Sequence, residues 1–426
     1  MLKYIKRIDA FGKNIILVFI GTSLLNVFNL LYQLLIAHRL SGVDFAGFNS
    51  LLAIFMVVSS PLTTLQTAIA KYTAEFNAHN QAGRIRYLLL NLLKKMLPLA
   101  VITLLIFYFS SFYIMDKLKI SSVSSGYMLA ALLALAWVTP VLMGTLQGLE
   151  LFKWFVALSV TGGILKLAFA AIFISLGFGI AGALGAFLCA GLIGVIISFY
   201  PLKNFFSIRE AEDGIDFKDF FLYFAPVAAS FFCFTVLVNF DMLMVKYFFS
   251  PNDAGFYSLA QMLGKIFLFL PGGISMVMFP KVAGLNAKKM DTGSTLKRSL
   301  LYGCGLCIIA NIFYNLFPYF SLKVLTGKAF PESVILGRFF GISMSFFTLI
   351  NILVTYFLSM KDMRFLKYLV ASAALQLFGV YLFHRTLIQV QLVLCINSIS
   401  LFSILLALMG KRFITGKYLE RGFLTA

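Results

Sequence analysis

Residues 46–51 read Ala46-Gly47-Phe48-Asn49-Ser50-Leu51, and residues 254–259 read Ala254-Gly255-Phe256-Tyr257-Ser258-Leu259. Each copy leads into an apolar segment holding a proline and, ten residues on, a lysine: Pro61 with Lys71 and Pro271 with Lys281. Both copies lie in apolar sequence long enough to cross a bilayer, for which about 20 residues suffice. The chain therefore reads as two versions of one helical membrane unit.

Composition agrees with that reading. Of 426 residues 61% are hydrophobic and only 12% charged, 48 are phenylalanine, and the mean hydropathy is +0.95. A water-soluble globule has an apolar share nearer one half. The net charge of +19 would point to nucleic acid in a soluble protein, but here the basic residues sit in short loops between apolar runs, where lipid headgroups are the natural partner. The first apolar run, from about Ile15 to Ala37, lacks a small-residue cleavage site and reads as an uncleaved helix. Cys304-x-x-Cys307 has neither a second pair nor a histidine beside it, so it reads as two small packing residues rather than a metal or redox site. No metal and no cofactor is expected.

Apolar runs bounded by charge or turn residues predict twelve spans, at 14–37, 45–69, 87–114, 126–148, 154–176, 179–202, 219–247, 254–279, 298–321, 333–358, 365–384 and 389–410. With the N-terminus inside, the inner segments carry 25 lysines and arginines and the outer ones 8; the last two of the 35, Lys166 and Lys265, lie within spans. That bias puts both termini in the cytoplasm. Six spans per half is an even number, so the halves enter the membrane in the same direction. The expected fold is all-α: a polytopic protein of twelve transmembrane helices in two parallel six-helix bundles around a central cavity. The expected domains are 1–202, a cytoplasmic linker 203–218 carrying Arg209, Glu210, Glu212, Asp213 and Asp216, and 219–426.

Polar side chains inside the spans are the candidate site. Thr22, Asn26, Asn29 and Gln33 share one face of the first helix, facing either a neighbouring helix or a water-filled cavity. At the repeat offset Gln33 corresponds to Asp241 and His38 to Lys246. Tyr257, Gln261 and Lys265 form a second stripe, and Arg338, Gly341, Ser345, Thr348 and Thr355 a third. A lysine at mid-membrane costs about 2.5–3.5 kcal/mol and is a functional candidate by default. Lys166 and Lys265 are thus read as facing a cavity, the alternative being structural lysines tied to backbone carbonyls or to Asp241. Asp241 is either a counter-ion for Lys246 or Arg39, or a proton or sodium site that couples transport to an ion gradient. Arg39 serves equally as a headgroup anchor. Pro61, Pro140, Pro226 and Pro271 interrupt spans two, four, seven and eight.

Several of these features together resemble the polysaccharide flippases, the Wzx-like branch of the multidrug/oligosaccharidyl-lipid/polysaccharide exporter superfamily. They are the six-plus-six arrangement, Gly47-Phe48 and Gly255-Phe256 after outer loops, Asp241 before the Ser250-Pro251 loop, Pro226 early in span seven, and the proline and lysine ending spans two and eight. The resemblance covers the whole chain and implies alternating access. The implied cargo is an undecaprenyl-diphosphate-linked oligosaccharide, flipped across the inner (cytoplasmic) membrane. It implies a cationic cavity for the diphosphate, with Arg39, Lys166, Lys265 and Arg338 as suitable residues, and Asn26, Asn29, Gln33 and Gln261 for sugar hydroxyls. The protein is expected to work as a monomer alongside polysaccharide assembly proteins. It lacks the two extra helices of the fourteen-helix lipid II flippases, which disfavours a peptidoglycan precursor. A multidrug antiporter shares the architecture, but cation exporters favour acidic cavities. A membrane polymerase would need clustered acid-base groups, whereas the outer loops are short and His38, His79 and His384 are scattered.

Overall fold

The computed structural model describes residues 10–207, 217–269, 272–288 and 290–422, and among these every regular element is a helix. In the first half these are α1 (Ala10–Arg39), α2 (Gly42–Ala78), α3 (Ala82–Lys117), α4 (Val123–Gly148), α5 (Phe152–Ser175) and α6 (Gly179–Ser207). The second half has α7 (Phe217–Phe248), α8 (Pro251–Phe269), α9 (Gly272–Ala287), α10 (Gly293–Leu316), α11 (Pro318–Thr326), α12 (Pro331–Ser359), α13 (Leu366–Leu382) and α14 (Leu387–Gly422). Among the described residues 11 stretches are long and apolar enough to cross a membrane, one of them running from α8 to Asn286, and α13 is a shorter apolar helix. The protein is a multi-pass membrane protein whose spans match the twelve read from sequence.

Two spans differ from expectation. The eighth is divided between α8 and α9, with Pro271 outside the described residues. The ninth ends at Leu316, because Pro318 has no N–H to continue the helix and instead opens the separate α11. Helices also run further than apolar length alone indicates; α2 reaches Ala78, well past the hydrophobic run.

The chain forms two compact units, Met1–Ala228 and Ala229–Ala426. The dividing point falls within α7, since Phe224 packs on the first unit's cluster around Leu65, Val141 and Leu202. α6 continues to Ser207 and α7 begins at Phe217, while Arg209, Glu210, Glu212, Asp213 and Asp216 lie outside the described residues.

Helices two spans apart in sequence pack in parallel within each unit. Gly144 and Gly148 of α4 lie against the α2 backbone, where an added Cβ would come within 2.7 Å of Gln66 O and 2.6 Å of Ala70 O. Only glycine permits that approach. In the second unit the corresponding pair is α8 with α12, joined by Ser333 Oγ donating to Phe256 O (3.0 Å) and Thr348 Oγ1 donating to Phe267 O (3.0 Å).

The duplication extends to the helix starts. Ser41 Oγ accepts from Asp44 N at 3.0 Å and donates to its carboxylate at 2.7 Å; Ser250 and Asp253 repeat both bonds at 3.2 and 2.7 Å. This Ser-x-x-Asp box satisfies N–H groups left open at the first turn, and it precedes each copy of the repeated hexapeptide, directly in the second and with Phe45 between in the first. The first copy is buried throughout and the second in all but Phe256.

Candidate functional site

In the first unit the polar site is built on α1, α5 and α6. Gly163 lets α5 approach α1, since a Cβ there would sit 3.1 Å from Phe28 Cβ and 3.2 Å from Leu25 Cδ1. One turn further along α5, Lys166 is 9% exposed and its Nζ donates to Asn29 Oδ1. The ammonium also lies 4.6 Å from the ring centre of Tyr32 and 4.8 Å from that of Phe187. Tyr32 is fixed by donating to Ala183 O (2.8 Å) and by an edge contact with Phe48 of the repeated hexapeptide. Phe187 is braced edge-on by Phe55.

The second unit builds its site on α7, α8 and α14. Asp241, 1% exposed, accepts from Tyr257 Oη at 2.7 Å and from Gln261 Nε2 at 3.2 Å to each carboxylate oxygen. Lys265, one turn beyond Gln261, supplies the positive charge that attracts this carboxylate. Gln391 of α14 is fully buried beside Tyr257, and Gln261 Oε1 is buried without a hydrogen-bond partner. Tyr257 belongs to the second hexapeptide, in the place where the first has the buried Asn49.

The structure thus gathers some of the candidate residues and separates others. Asn29 meets Lys166, and Gln261 and Lys265 meet Asp241. On α1, however, Thr22 donates to the carbonyls of Val18 and Phe19, while Asn26 is exposed and Gln33 half-buried. Arg39 and Arg338 are exposed and belong to neither cluster. The third stripe is consumed by packing: Ser345 accepts from Asn311 Nδ2 at 2.9 Å, Gly341 sits against Asn311, and Thr348 bonds α8. Tyr32, Phe187 and Gln391 were not anticipated, because aromatic residues in an apolar helix carry no polar signal and Gln391 stands alone among apolar neighbours.

His38, His79 and His384 each donate from Nδ1 to a local carbonyl, Leu34 O, Glu75 O and Tyr381 O respectively, and His384 stacks on Phe248 at 3.9 Å. Among the described residues no group of three or more His, Cys, Asp or Glu side chains could hold a metal ion. A separate cavity of about 330 Å³ in the second unit is lined by Phe249, Asp253, Glu332 and Arg385, with apolar residues of α12 and α14, and none of the candidate residues reaches it.

The profile of the family described as polysaccharide biosynthesis protein matches residues 11–285, and the chain belongs to that family. Several solved membrane transporters share its fold. An inward-facing multidrug resistance MATE family transporter of the MOP superfamily superposes with a TM-score of 0.72 at 16% identity, covering 92% of this chain and 95% of its own. The lipid II flippase MurJ in an inward closed conformation gives 0.68 at 15%, covering 93% and 87%. A MOP superfamily transporter from Pyrococcus furiosus, described as having a binding pocket of reverse polarity, gives 0.56 at 17%, covering 94% of each chain. A search of curated protein sequences finds no significant match.

Proposed function

We propose that the protein is a flippase that moves an undecaprenyl-diphosphate-linked oligosaccharide across the cytoplasmic membrane by alternating access, with both termini inside. The observation that carries this reading is Lys166: a cation buried among the helices of the first unit, beside an amide-bearing face of α1. A charge in that environment is retained where an anion must be received. Membership of the polysaccharide biosynthesis family supplies the glycan, and the shared fold with MurJ and with transporters solved inward- and outward-facing supplies the mode of transport.

Asp241 is the candidate coupling site for a proton or sodium ion. Its carboxylate is 1% exposed within a span and held by Tyr257 and Gln261, so gain or loss of a proton or bound cation there would change a buried charge. The drug antiporter remains the second reading, favoured by this same acidic group and by the MATE relatives in fold. The two are separated by complementation. Expression in a strain whose own O-antigen flippase is deleted should restore surface glycan. Failure to restore any glycan, together with raised resistance to cationic dyes, would establish the antiporter instead.

A further inference from the structure

The cavity of about 330 Å³ in the second unit lies apart from the residues assigned to transport. Its walls are the loop between α7 and α8, the first turns of α12, and the loop between α13 and α14 with the start of α14. Each lining residue is within two turns of the end of a span, which places the cavity at the level of lipid headgroups rather than deep in hydrocarbon. Its size is that of a small-molecule site, for which about 300–1,000 Å³ is usual.

The walls are fixed before any ligand arrives. Ser333 Oγ donating to Phe256 O (3.0 Å) ties the start of α12 to α8, and Phe330 packs on Phe256 with ring centres 5.1 Å apart. Ser250 holds Asp253 at 2.7 Å. The α13–α14 loop is pinned by His384 stacked on Phe248, by Arg385 N donating to Gln389 Oε1 (3.1 Å) and by Gln389 N donating to Thr386 Oγ1 (3.2 Å). Opposite charges line this rigid cavity without meeting. Asp253 and Glu332 stand in the first turns of α8 and α12 and Arg385 on the α13–α14 loop, and among the described residues none of the three forms an ion pair. A ligand carrying an anion and a cation a few bonds apart finds a counter-charge for each end in such a cavity. The remaining lining is mostly apolar, and Ile335 and Ile388 within it are also 46 and 43% exposed, which opens an apolar mouth.

We propose that this cavity binds the headgroup of phosphatidylethanolamine, with the phosphate on Arg385, the primary ammonium on Glu332 and Asp253, and the acyl chains leaving past Ile335 and Ile388. A guanidinium pairs with phosphate bidentately, and an ammonium has three N–H donors to share between two carboxylates. The quaternary nitrogen of choline has no N–H to give, and a glycerol headgroup has no cation. The chemistry therefore selects the ethanolamine lipid over both, and it does so whatever the protein transports.

The test titrates purified, delipidated full-length protein in detergent with dioctanoyl phosphatidylethanolamine, phosphatidylcholine and phosphatidylglycerol, read by native mass spectrometry, with glycerophosphoethanolamine as the chain-free headgroup. Phosphatidylethanolamine should bind about tenfold or more tightly than each of the others. Glu332→Gln should weaken phosphatidylethanolamine binding by about tenfold and leave phosphatidylcholine binding unchanged, whereas Arg385→Gln should weaken both. Both side chains are exposed, so neither change disturbs the fold. Ile335→Trp, which fills the cavity without touching its charges, should weaken binding of every lipid. Equal binding of the ethanolamine and choline lipids, tighter binding of phosphatidylglycerol, or unchanged phosphatidylethanolamine binding in Glu332→Gln or Arg385→Gln would each overturn the assignment. Glycerophosphoethanolamine binding as tightly as the lipid would overturn it too, in favour of a soluble zwitterion.

Discussion

Replacing Tyr257 with phenylalanine removes one hydroxyl and tests whether Asp241 is held as a carboxylate. The bond from Tyr257 Oη to Asp241 is short, at 2.7 Å, and the acceptor is 1% exposed, so water cannot replace the lost donor. Gln261 remains, but at 3.2 Å to each oxygen. Hydrogen bonds to a charged group contribute about 1.5–3 kcal/mol and those between neutral groups about 0.5–1.5 kcal/mol. Tyr257→Phe should therefore destabilise the protein by about 2 kcal/mol when Asp241 is ionised, and by about 1 kcal/mol in an Asp241→Asn background, where the acceptor is neutral. The difference, a coupling of about 1 kcal/mol, is what a double-mutant cycle reads. Equilibrium unfolding of the four purified proteins in mixed micelles with rising dodecyl sulfate provides the measurement. A loss under about 0.5 kcal/mol in both backgrounds would show that the hydroxyl does not restrain a charged Asp241, and its candidacy as the coupling site would fall.

The two Ser-x-x-Asp caps have matching geometry, so Ser41→Ala and Ser250→Ala should each cost about 1 kcal/mol in the same unfolding experiment; a cost at only one would show that the second box is not equivalent. Gly144→Leu forces side-chain atoms into the backbone of α2, where a Cβ already lies 2.7 Å from Gln66 O, and should cost more than about 3 kcal/mol or abolish membrane accumulation, as read by quantitative blotting. If Asp241 carries the coupling ion, Asp241→Asn removes the dependence of transport on a pH or sodium gradient; in proteoliposomes an unchanged dependence assigns Asp241 to structure alone. A single cysteine placed at 209 in a cysteine-free background should resist impermeant thiol reagents added to intact cells, and labelling there would reverse the inside–outside assignment.

The membrane class, the span count and the duplication were legible in sequence because each depends on short-range quantities: apolar length, loop charge and local similarity. The hexapeptide was seen as a marker of duplication, and the structure explains its retention: both copies are almost wholly buried, and each follows an identical capping box. That box was itself readable as Ser41-x-x-Asp44 and Ser250-x-x-Asp253, but its one-residue shift relative to the hexapeptide hid it from a fixed-offset comparison.

Side-chain partnership was less legible. Periodicity places residues on one helical face without saying what that face meets. Arg338, Ser345 and Thr348 share a face of α12, yet the arginine is exposed while the threonine is spent on an α8 carbonyl. Lys166 and Lys265 look alike in sequence, each alone in an apolar span. Only packing gave one an amide and two aromatic rings and the other a carboxylate. The sequence by itself determined that this protein crosses the membrane as two related halves with cations inside them, because the cost of placing polar groups in lipid is paid residue by residue. The tertiary structure decided what each of those cations meets, because helix packing alone brings Lys166 to Asn29, 137 residues away in sequence.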